Sequence, residues 1–133
     1  MIKLSRNFNL DEFLNLKKYP YNEIPTQCLV NLQYGVATIL QPLRDVIGCP
    51  IIINSGYRCP QVNKLVGGVA NSQHMAGCAA DIRPADLKKF WACIEFLKKS
   101  PCTDQLLCAS SWCHISWQPH GIPRHDVRLD YYK

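Results

Sequence analysis

The chain has 133 residues, 47% hydrophobic and 19% charged, with a net charge of +5 at neutral pH. That length supports one domain, residues 1–133, around one core, and the composition excludes a disordered or collagen-like chain. No stretch approaches the roughly 18 apolar residues of a membrane span, and the mild basicity suits an anionic polymer without choosing one.

Met1 to Phe8 carries charges but no continuous apolar run, so no signal peptide is expected. Asn9-Leu10-Asp11-Glu12 has the spacing of a capping box and predicts a short helix through Leu16, ended at Tyr19-Pro20. From about Pro25, Leu29, Leu32, Val36, Ile39, Leu40, Leu43 and Ile47 recur at helical spacing. This is the expected core helix, kinked or divided at Pro42 and closed by Gly48.

Pro50 to Gly56 is a β-branched run and reads as a buried strand. A short helix is expected from Pro60 to Val66, stopped by Gly67-Gly68, then a loop, then a short strand entered through Ala79-Ala80 and carrying Asp81. Pro84 suits the first position of the next helix, in which Leu87, Phe90, Trp91, Ile94 and Leu97 form one face. Asp104 to Leu107 and Trp112 to Trp117 read as a hairpin, and Arg124 to Leu129 as a last strand. The eight cysteines contain no C-x-x-C pair, so reduced, mostly buried thiols are expected.

Ser72 to Asp81 reads S-x-H-x-x-G-x-A-x-D. Average residue usage produces those five letters by accident in roughly one chain in ten thousand of this length. The block brings an imidazole, His74, and a carboxylate, Asp81, with small residues between them that let the backbone approach an ion. Strand alternation puts Trp112, His114 and Ser116 on one face and Cys113, Ile115 and Trp117 on the other, so His114 can face a cleft while Cys113 points inward. Two histidines, one carboxylate and a position left to water form the donor set of a catalytic zinc site. Against it stands a structural reading, in which His74 and Asp81 cap helices and His114 is a core histidine. Their occurrence together with Arg58, in Asn54 to Arg58, weighs against that reading. A structural zinc on Cys102, Cys108 and Cys113 is disfavoured, because their spacings are not those of a zinc ribbon.

Ser55-Gly56-Tyr57-Arg58, the Ser72 to Asp81 block and Trp112-x-His114-Ile115-Ser116 resemble the zinc D-alanyl-D-alanine peptidases. That family includes D-Ala-D-Ala carboxypeptidases, vancomycin-resistance dipeptidases and phage L-alanyl-D-glutamate endopeptidases. Asn7 to Phe13 and Leu40 to Arg44 resemble leading segments of its small bacterial and phage members, so the likeness covers nearly the whole chain.

The resemblance implies an α+β fold of the hedgehog and DD-peptidase kind, a small mostly antiparallel sheet with helices on one side. It implies Zn2+ held by His74, Asp81 and His114, Arg58 as the substrate or transition-state arginine and Ser72 as a substrate contact. The implied substrate is a peptidoglycan stem peptide, cut beside a D-amino acid in wall turnover or phage lysis. No nucleic-acid partner is expected, since the lysines are scattered and no basic-aromatic motif occurs, and a monomer is expected. The chain is expected to be cytoplasmic as synthesised, with a phage-type route to the wall.

One departure stands out. The family's general base is an acid near the second histidine, and here Asp104-Gln105-Leu106-Leu107 runs into Cys108-Ala109-Ser110-Ser111 without one. Asp104, His120 and His125 are the remaining candidates, and an inactive, zinc-loaded wall-binding module is the alternative function.

Overall fold

The computed structural model describes residues 2–132. The chain opens with an unforeseen hairpin, β1 (Lys3–Ser5) and β2 (Phe8–Asn9). The capping box behind it is half made: the Asn9 backbone N–H donates to the Glu12 carboxylate at 2.7 Å. Helix α1 spans only Asp11–Leu14, because Asn15 turns into the left-handed region at φ 49°.

The core helix is divided as its proline requires. Helix α2 (Thr26–Gly35) passes through a π turn, Val36–Leu40, into α3 (Gln41–Ile47). Pro42 has no N–H to offer the preceding turn, and the wider turn, with Gln41 N–H bonded to Val36 O, accommodates it. Leu32, Val36, Ile39, Leu40 and Leu43 stay fully buried through the change. Gly48 closes α3 at φ 73°, and its N–H returns to Arg44 O.

Five strands form the main sheet in the order β3-β4-β6-β5-β7. They are β3 (Ile51–Ser55), β4 (Ala79–Pro84), β5 (Gln105–Cys108), β6 (Cys113–Ser116) and β7 (Asp126–Arg128). All pairs are antiparallel except β5 with β7. Helix α4 (Pro60–Leu65) and a 3-10 turn, Gln73–Ala76, lie between β3 and β4. Helix α5 (Phe90–Lys99) connects β4 to β5. This is the α+β arrangement with a mostly antiparallel sheet expected from the sequence.

Pro84 does not open the following helix. It ends β4 opposite Ile51, and the ladder runs one bond further, from Ala85 N–H to Pro50 O. The helical segment instead starts beyond Asp86, whose carboxylate accepts from Lys88 N–H at 3.1 Å.

One sheet face is apolar. Ile82, Leu106, Cys113 and Ile115 join Ile94 and Leu97 of α5 and the α2–α3 residues in one core. The alternate residues Asp81, Leu107 and His114 are left for the other face. Trp117 is fully buried against Gly35, where a Cβ would stand 2.0 Å from its ring, and its indole N–H donates to Asn31 O and Gly77 O.

All eight cysteines are unpaired thiols. Burial pushes Cys78, Cys93 and Cys108 up to about 11, so they are protonated and unreactive at neutral pH.

Candidate metal centre

Asp81 on β4 and His114 on β6 are directly paired across the ladder, so sheet geometry holds their side chains together. His74 comes from the 3-10 turn, which begins where the Ser72 hydroxyl accepts from His74 N–H at 3.2 Å. The turn ends at Gly77, with φ +74° and a Cβ position only 2.2 Å from Cys28 O, a place that admits glycine alone. The chain then enters β4.

The His74 ring is buried, and its Nδ1 lies 2.7 Å from Gly56 O. A carbonyl oxygen can only accept, so Nδ1 carries the proton and Nε2 presents a lone pair. That lone pair faces Asp81 Oδ1 at 3.3 Å, and His114 Nδ1 lies 3.0 Å from the same oxygen. An imidazole lone pair aimed at a carboxylate oxygen is unsatisfactory unless a proton or a cation stands between them.

Donor atoms on a tetrahedral zinc with bonds of about 2.1 Å lie about 3.4 Å apart. The two distances to Asp81 Oδ1 are close to that, and all three ligand atoms lie within 4.8 Å of one another. The donor set therefore fits Zn2+, and Gly56 O supplies the outer partner that ligating histidines require. Among the described residues no second such cluster occurs, and Cys102, Cys108 and Cys113 do not form one.

Burial alone would raise the Asp81 carboxyl, but the two imidazoles set against it outweigh burial and hold it well below the usual range. Its second oxygen faces Arg58 NH2 at 3.6 Å. Arg58 is itself steadied by Ser55 Oγ at 3.1 Å and by its backbone N–H on His74 O.

These residues line one cleft of about 750 Å³. Arg58, Ser72, His74, Asp81 and His114 all border it, so the structure brings together every site residue read from the sequence. Gln73, Gln105, Leu107, Gln118, Arg124, Tyr131 and Tyr132 border it as well. The two tyrosines lie beyond the last motif, and no spacing in the sequence pointed to them.

Of the remaining candidates for a base, His120 and His125 are exposed and do not line the cleft. Asp104 is fully buried and accepts from Arg124 through its backbone N–H at 2.8 Å and its guanidinium at 2.8 Å. It also accepts from Gln73 at 3.0 Å and from Ser116 Oγ at 3.3 Å. Burial raises the Asp104 carboxyl, but the bonds from Arg124 and Gln73 prevail and hold it well below the usual range. So placed, it is a brace rather than a base: it ties the ligand turn, β6 and the tail together.

A depressed carboxyl adds stability above its unfolded pKa of about 3.9, and that stability is lost as pH falls below this value. Asp104→Asn is expected to cost about 2–3 kcal/mol at pH 7, since it leaves buried donors short of an acceptor. The deficit should shrink as pH falls below about 4. Urea melts of both proteins across pH 3–7 check this, and an equal deficit at every pH would contradict it.

Three side chains, two from the sheet and one from a turn, meet along one cleft as a group that could hold a metal ion. The chain belongs to the Peptidase M15 family, whose model matches residues 14–116 and so includes all three donors. Over 44 residues, 32% of this chain, it is 48% identical to the zinc D-Ala-D-Ala carboxypeptidase of Streptomyces albus G. That stretch is 17% of the relative's length, so the chain matches under a fifth of it. No helix among the described residues is long and apolar enough to cross a membrane.

Proposed function

We propose that this protein is a zinc peptidase that hydrolyses peptidoglycan stem peptides at a bond beside a D-amino acid. The observation that carries the reading is the grouping of His74, Asp81 and His114 along one cleft, with a ligand atom of each within 4.8 Å of the others. Membership of a peptidase family supports it, as does the likeness to a zinc D-Ala-D-Ala carboxypeptidase.

A zinc ion held by His74, Asp81 and His114 would polarise the scissile carbonyl and lower the pKa of a water toward about 7. The chain's own residues orient and stabilise. Arg58 is the cleft cation nearest the donors, and its planar fork suits a substrate carboxylate or a developing oxyanion. Ser72 holds the His74 turn through its Oγ acceptor, and its own O–H remains free to donate to substrate.

Proton uptake is the missing function. Gln105 and Leu107 line the cleft, and by alternation Ala109 falls on the same face, two residues on from the Leu107–His114 pair. Ala109 has no group that can accept a proton. This favours a second reading, a zinc-loaded module that binds wall peptides without cutting them.

Incubation of the zinc-loaded protein with muropeptides separates the two. Slow release of product that stops on chelation and returns with zinc supports the peptidase. Binding with no product over days supports the module.

A further inference from the structure

We propose that the Tyr132 phenol is a hydrogen-bond donor to the substrate bound at the His74–Asp81–His114 site. It stands at the end of the β5–β6 hairpin that Ala109 leaves bare. The assignment rests on the peptidase reading above and adds a residue to it.

The turn of the hairpin is closed by Ala109 N–H on Trp112 O at 2.9 Å, so Ala109 and Trp112 face each other at its end. The tail returns to this point. Tyr132 N–H donates to Cys108 O at 3.3 Å, and its ring stacks on Trp112 with centroids 4.7 Å apart and planes at 28°. Tyr131 meets Tyr132 edge-on at 4.9 Å and 82°. A backbone bond and two aromatic contacts thus place residue 132 over the hairpin end. Trp112 shares a strand face with His114, and that face borders the cleft.

Tyr132 lines the same cleft as the three candidate donors and Arg58. Tyr131 is engaged differently, with the Arg128 guanidinium 5.7 Å from its ring centre. A phenol ordinarily titrates at about 10. It therefore keeps its proton near neutrality. A phenol in that state donates a hydrogen bond and takes no proton from water. It can orient the peptide and meet the oxygen that gains charge during cleavage, while the proton-uptake deficit left by Ala109 remains.

The test uses the full chain loaded with zinc. Tyr132→Phe keeps the ring on Trp112 and removes only the hydroxyl. A fully buried oxyanion donor is worth 10²–10³ in kcat, and this half-exposed one is expected to give about 10- to 100-fold. KM and zinc content should stay near wild type.

A readout independent of turnover is the affinity for phosphinate analogues of D-Ala-D-Ala and of L-Ala-D-Glu, which mimic the tetrahedral state. The better-bound analogue should weaken by a similar factor in Tyr132→Phe and hold in Tyr131→Phe. Equal affinity in wild type and Tyr132→Phe overturns the assignment alone, as does a loss confined to Tyr131→Phe. Zinc-loaded wild type that binds neither phosphinate overturns the peptidase reading, and the assignment with it.

Discussion

His114→Ala is expected to empty the site of zinc while leaving the fold in place. On the proposed reading the imidazole is one of three donors, and His74 with Asp81 alone would not complete a tetrahedral set. Removal of the ring also takes away the imidazole that stands 3.0 Å from Asp81, leaving the carboxylate with Arg58 at 3.6 Å and His74 at 3.3 Å. The core face of β6 is untouched, because Cys113 and Ile115 point the other way.

Zinc at a thousand times its Kd stabilises a native state by about 4 kcal/mol. Wild type should therefore show a large zinc-induced rise in Tm, and His114→Ala none. Cys108→Ser should behave as wild type, since that thiol is buried in the core and is not a donor. Metal analysis after desalting gives the count directly. Full zinc content in His114→Ala would remove the basis for the site.

The second large effect is a gain. Ala109→Glu is expected to raise the turnover of a stem peptide by about 10²–10⁴-fold, the usual worth of general acid–base catalysis. Zinc content should not change. Residue 109 continues the face of Gln105 and Leu107, and Leu107 is paired with His114, so a carboxylate at 109 lies diagonally across the ladder from a ligand. Ser111 lies outside the strands, between the two arms of the hairpin, and Ser111→Asp should give the smaller gain. Steady-state rates on one muropeptide rank the three proteins. No gain from Ala109→Glu, with zinc bound, would favour the non-cutting module.

That the candidate residues lie together was legible in the sequence for a local reason. His74 and Asp81 lie on one short block, and the alternation of Trp112 to Trp117 shows which way His114 points, so donor type and direction are both written in neighbouring letters. The same held for the division of the core helix at Pro42 and its close at Gly48. Pro84 was misread because its local preference for a helix start says nothing of the ladder that β3 extends to Ala85. Asp104 was a candidate base by residue type, and only the fold shows Arg124, Gln73 and Ser116 closing around it. Tyr132 was invisible for the same reason: its place depends on a tail that crosses the molecule to reach Cys108 and Trp112.

The pairing of Asp81 with His114 across the ladder sets how the site is held. Two of the three donors are rungs of one sheet, held by strand spacing whether or not an ion is present. They cannot spread without breaking β4 from β6. The third donor rides on the Gln73–Ala76 turn, and that turn is tethered through Gln73 to Asp104. The site is thus held from two sides, by strand pairing for Asp81 and His114 and, for His74, by a turn that the Gly56 carbonyl, the Arg58 N–H and Asp104 fasten in place.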